Sequence, residues 1–79
     1  MGLENIEIHE YLVKFYMKNG DEFSGITKST VPKSEYLGKV YINDILSQKW
    51  FTIEDAGMDN SLLTINVSEI ATIRLIFLK

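Results

Sequence analysis

The 79-residue chain has no cysteine, one proline, one arginine and one histidine. Each scarcity removes a class of protein. Without cysteine there is neither a disulfide framework nor a thiolate zinc site. With His9 alone, a histidine-rich metal site is excluded as well. Arg74 is the single arginine, the lysines are scattered and the net charge is −3. That balance lacks the basic stripe of a duplex-DNA-binding surface. No apolar run approaches the ~18 residues of a membrane-spanning helix. "MGLENIEIHE" lacks the basic start and apolar stretch of a secretory signal, and Ile6 stands where a myristoylation pattern needs Ser or Thr. The expected location is the cytoplasm. No linker, repeat or low-complexity tract divides the chain, so one domain is expected over residues 1–79.

Hydrophobic residues make up 46% and charged residues 24%, a globular rather than a disordered balance. A chain of this length buries only about 60–65% of the surface its unfolded form exposes, so its core is thin. Small domains without covalent or metal staples commonly gain stability by associating. Ile, Lys and Asn are frequent while Arg and Pro are scarce, which suggests an AT-rich genome such as that of a low-GC bacterium or its phage.

The clearest local signal is "YLVKFYMKNGDEFSGI". Tyr11, Val13, Phe15 and Met17 alternate with Leu12, Lys14, Tyr16 and Lys18, the period of a strand with one buried face. A two-residue turn at Asn19-Gly20 would put Phe23 on the wrong face. A three-residue loop, Lys18-Asn19-Gly20 with Gly20 left-handed, pairs Met17 with Asp21 and Phe15 with Phe23. Gly25 then faces Val13, and a glycine inside a strand marks a bulge or bend.

"YLGKVYIND" reads two ways. Its β-branched and aromatic residues favour a strand, whereas Leu37, Tyr41 and Ile45 are spaced by four as on a helix, with Gly38 against it. "NDILSQK" reads as a turn or one helical turn capped by Asn43 or Asp44. "KWFTIED" is a strand with Trp50, Thr52 and Glu54 opposite Phe51 and Ile53. "DAGMDNS" is a loop. "LLTINV" puts Leu63, Ile65 and Val67 on one face, "SEI" turns the chain, and "ATIRLIFLK" puts Ile73, Leu75 and Phe77 on one face. Arg74, Ile76 and Leu78 fall on the other. This last strand is apolar on both sides near its end, which requires a cover. The expected fold is β-dominated: a small, strongly bent antiparallel sheet or partly open barrel of about five strands, with room for one short helix.

Val13, Gly20, Phe23, Gly25 and Ile26 together resemble the first conserved segment of Sm and Sm-like proteins. "WFTIED" is similar to that family's fourth strand and "VSEIATIRLI" to its closing pair. The resemblance implies a bent five-stranded sheet, nearly a barrel, in a family that forms rings binding RNA at the pore. The chain departs from the family at the RNA-reading positions. "STVPKSEY" replaces the Asp-x-x-Met-Asn type loop, and "NVSEI" replaces the later basic loop, so no RNA-binding residue carries over.

Catalytic and metal chemistry find little support. His9 stands between Ile8 and Glu10 with no Ser or Cys nucleophile nearby, which fits a solvated or packing histidine. Glu54, Asp55 and Asp59 lack the spacing and closing Glu of a calcium loop, so "EDAGMDN" reads as a polar hairpin loop. Gly20 and Gly25 form no phosphate-binding pattern. No nucleophile–base pair is in view, so no enzyme, cofactor or metal site is expected. Tyr36, Tyr41, Lys49 and Trp50 are the candidate ligand- or partner-contacting residues, because aromatics beside lysines stack nucleotide-like groups. The plainer reading makes Phe51 and one tyrosine core, with Trp50 covering the sheet edge. The leading expectation is a non-catalytic interaction module, homo-oligomeric through Arg74, Ile76 and Leu78, that acts on itself or on a host protein. A binder of a small nucleotide-like signal and an Sm-like RNA ring are the alternatives. Within one chain, Leu3, Ile6 and Ile8 are the rival cover for the last strand.

Overall fold

A computed structural model describes residues 8–29 and 35–78, with the side chains of 35–37 also outside the description. Five strands form one antiparallel sheet: β1 (His9–Met17), β2 (Glu22–Ser29), β3 (Trp50–Asp55), β4 (Leu62–Asn66) and β5 (Ile70–Phe77). Their order across the sheet is β4-β3-β2-β1-β5, so the sheet stays open and ends in β4 on one side and β5 on the other. A helix, α1 (Glu35–Leu46), enters between β2 and β3.

The first hairpin has the three-residue turn. Phe15 pairs with Phe23 and Val13 with Gly25. Met17 N donates to Asp21 O at 2.8 Å, and Gly20 sits at φ 97°, where only glycine is unstrained. Asn19 closes the loop by accepting from the Asp21 amide at 3.0 Å. The turn is tied to the far end of the chain, since Lys18 N donates to Glu69 O at 2.8 Å.

Gly25 is where the sheet turns. A Cβ there would lie 2.6 Å from Cγ2 of Ile53, so the β3 side chain crosses over the bare glycine backbone toward the core. Only Gly25–Asp55 and Ile26–Glu54 pair β2 with β3, against eight residue pairs from His9–Ser29 to Tyr16–Glu22 between β1 and β2. The sheet therefore bends between β2 and β3 rather than continuing flat.

The core lies on the inner face of the bend. Val13 and Phe15 of β1, Ile53 of β3, Ile65 of β4 and Ile45 of α1 form one cluster, and Val13, Phe15 and Ile45 are completely buried. Fully burying each such side chain is worth roughly 1.5–3 kcal/mol. Of the two readings of "YLGKVYIND", the helix is the one found. Gly38 allows it: a Cβ would stand 3.2 Å from Leu75 and 3.7 Å from Phe77, so α1 lies close over β5 at this point. One turn later Tyr41 meets Phe51 edge-on at 6.2 Å, and Ile45 reaches the cluster. The apolar faces of β3, β4 and β5 match the sequence alternation, with Ile53 and Ile65 buried and Ile73 and Leu75 half-buried. A 3-10 turn at Val67–Glu69, capped by the Asn66 side chain accepting from Ser68 N, links β4 to β5.

Candidate functional site

The candidate residues separate onto different surfaces. Lys49 and Trp50 stand together at the end of the sheet, where α1 finishes and β3 begins. With Leu46, Asn66, Val67 and Ser68 they line a cleft of about 430 Å³. Trp50 is 58% exposed, and Leu46 beside it is also exposed. The cleft is held open by backbone pairing: Val67 N donates to Lys49 O at 3.0 Å, and Trp50 is paired with Asn66. Ser68 is turned in on itself, since its hydroxyl and its amide both donate to Asn66 Oδ1.

Tyr41 does not line this cleft. It lies half-buried between α1 and the sheet, edge-on to Phe51. Burial raises its phenol pKa, the Asp44 carboxylate adds to the rise, and a hydrogen bond with Thr27 opposes both. That is the environment of a packing tyrosine with a satisfied hydroxyl. Tyr36 belongs to the first turn of α1, and its side chain lies outside the described residues.

Arg74, Ile76 and Leu78 lie on the outer face of the sheet, opposite α1, as the alternation requires. Cross-strand register shows what surrounds them. Ile76 pairs with Leu12, and Leu12 pairs with Ile26, giving a half-buried apolar row across β5, β1 and β2. Arg74 pairs with Lys14, and Lys14 with Ser24, so the next row carries two cations and no carboxylate. Leu78, 46% exposed, donates its amide to Glu10 O at 2.8 Å and extends the row that holds Glu10 and Lys28. Leu12, Ile26 and Lys14 were not singled out as contact residues from sequence. Their outward parity was readable, but their adjacency to Ile76 and Arg74 depends on long-range register. Leu3 and Ile6, the rival cover, lie outside the described residues, and Ile8 is 57% exposed.

The acidic loop behaves as a hairpin loop. Asp55 Oδ1 accepts from Gly57 N at 2.8 Å, and Asn60 takes a positive φ of 60°. Among the described residues, no three His, Cys, Asp or Glu side chains are grouped to hold a metal ion. None of the described helices is long and apolar enough to cross a membrane.

No protein-family model matches the chain, and no curated protein or solved structure does. The open five-stranded antiparallel sheet is compatible with a small β fold of the kind the Sm resemblance implies, at the level of strands alone.

Proposed function

We propose that the protein is a non-catalytic interaction module that works as a homo-oligomer, with a cytoplasmic bacterial or phage setting suggested by its composition. The observation that carries this is the apolar row Ile76–Leu12–Ile26 on the face that α1 leaves uncovered. Burying an apolar side chain is favourable by roughly 25 cal/mol per Å². A second protein surface supplies that burial, and a second copy is the simplest source. Native mass spectrometry of fresh lysate tests the reading by reporting subunit number and bound mass together. A multiple of the chain mass supports it, and a lone chain under gentle conditions at high concentration contradicts it.

A second reading rests on the Lys49–Trp50 cleft. An exposed indole beside an ammonium group is suited to stacking a flat, anionic ligand of nucleotide type. A small bound mass retained through purification, with ultraviolet absorbance near 260 nm, is its expected mark. The Sm-like RNA ring stands third. The segment that replaces the RNA-reading loop, "STVPKSEY", lacks the Asp-x-x-Met-Asn type pattern, and its last residues, Glu35 and Tyr36, open α1, which weighs against RNA.

A further inference from the structure

The outer face of β1 carries, in order, Ile8, Glu10, Leu12, Lys14 and Tyr16, with Ile8 just ahead of the strand. The series is self-complementary about Leu12. Two residues to either side stand opposite charges, Glu10 and Lys14. Four residues to either side stand an aliphatic and an aromatic side chain. Turned end for end and laid on itself, the strand matches apolar with apolar and acid with base.

We propose that two copies pack outer face to outer face across a two-fold axis through Leu12, with β1 antiparallel to its counterpart. This rests on the homo-oligomer reading above and adds the surface, the symmetry and the register. An axis lying in the interface along the apolar row returns that row onto itself. Ile76, Leu12 and Ile26 then meet their own symmetry mates, the isologous arrangement of a two-fold dimer. The adjoining rows exchange: the row of Arg74, Lys14 and Ser24 faces the row of Leu78, Glu10 and Lys28.

That exchange offsets a cost present in the single chain, with the partner's Lys28 falling opposite Ser24, one strand spacing from Lys14. Lys14 and Arg74 are direct cross-strand neighbours of like charge, an unfavourable pair in an isolated sheet. Across the axis each Lys14 receives the partner's Glu10, which also lies one strand spacing, about 4.8 Å, from Arg74. The Leu78 side chain covers the aliphatic stem of the partner's Arg74. Glu54 continues the row on β3; with Glu10, Ile26, Lys28 and the loop after β3 it lines a concavity of about 250 Å³ at the margin of the patch, where its carboxylate has room to turn from its own copy. The contact is centred on β5, β1 and β2, with β3 and the loop after it at the rim. Three strands of about nine residues give a patch of roughly 14 by 30 Å. Aligned face packing of two such sheets, about 10 Å apart and rotated by about 30°, preserves the axis.

The variant Lys14→Glu separates assembly from folding. Within one chain it replaces a like-charge neighbour of Arg74 with an opposite one, so the fold is retained or strengthened. Across the axis it sets Glu against Glu twice per dimer, and association should weaken at least about tenfold. Adding Glu10→Lys to Lys14→Glu restores opposite charges across the axis and should recover the dimer. Sedimentation velocity over a concentration series reads all three proteins, with thermal melts alongside. A wild-type dimer, lost in Lys14→Glu with an intact melt and regained in the double variant, is the expected result. A wild-type oligomer indifferent to Lys14→Glu overturns this interface while leaving homo-oligomerisation standing through another surface. Glu10 is the cross-strand neighbour of Lys28, so the melt reads what the second change costs the fold, and loss without recovery in a double variant that melts as a folded protein overturns the register. A wild-type monomer throughout, as when residues before Ile8 cover the face, overturns both the interface and the reading it rests on.

Discussion

The two faces of this sheet use similar side chains to different ends. Inside, Val13 and Phe15 of β1 are fully buried beneath α1. Outside, the intervening Leu12 is only half-buried, with Ile26 and Ile76 beside it. The inner face is specified by shape: a bare glycine admits Ile53, another admits a helix, and rings meet edge-on. The outer face is specified by order, with apolar residues and opposite charges placed symmetrically along one strand. Shape complementarity suits a surface packed once during folding. A palindromic order suits a surface that meets its own copy.

Substitutions at equivalent depth on the two faces should therefore part company. Phe15→Ala removes a fully buried ring and should cost about 3–5 kcal/mol in urea unfolding. Gly25→Val comes close behind, at about 3 kcal/mol, because a side chain there collides with Ile53. If that variant unfolds like wild type, β2 and β3 do not approach as described. Gly20→Val should cost about 1–3 kcal/mol from its positive φ alone, since the space around it is open. Leu12→Ser, measured at a concentration where the chain is monomeric, should lose well under the inner-face penalty; a loss as large as that of Phe15→Ala would mean the outer row is core.

Smaller effects sharpen the account of α1. Gly38→Ala gains up to about 1 kcal/mol of helix propensity, against a 3.2 Å approach to the Leu75 methyl. Leu75 is half-exposed and its methyl end can shift, so a slight stabilisation is expected; a clear loss would show β5 to be rigid there. Tyr41 has a raised pKa, so the folded state holds the phenol proton more tightly than the unfolded chain. Its contribution is intact below the unfolded value near 10 and declines as pH rises through the folded value. Tyr41→Phe should remove that alkaline decline, as followed by melts between neutral and alkaline pH. Duplex DNA at about 150 mM salt should show no submicromolar binding in fluorescence anisotropy.

The first hairpin was legible from sequence because its determinants are local. The Asn-Gly turn, the two-residue period and the Phe15–Phe23 match lie within a few residues of one another. The region around Gly38 was ambiguous for the opposite reason. Glycine weakens a helix locally, yet here it is what lets α1 approach Leu75 and Phe77, which lie far along the chain. Tyr41 illustrates the same limit, since a tyrosine that packs and one that stacks a ligand look identical until the helix face is known. Lys49 and Trp50 were adjacent in sequence and remained so, but the Asn66–Val67 wall of their cleft arrives through the β3–β4 ladder. The outer face was half legible: alternation exposed Ile76 and Leu78, and only register placed Leu12, Ile26 and Lys14 beside them.

The central claim, that the outer face of β1 meets its own copy, is tested most directly by a dilution series read residue by residue in two-dimensional NMR. Concentration-dependent shifts should concentrate at Glu10, Leu12, Lys14 and Tyr16, with Ile26 and Ile76 following and Trp50 unmoved. Shifts confined to the free edge of β4 at Leu62 and Thr64, shifts confined to the Trp50 cleft, or a spectrum that does not change with concentration would each contradict it.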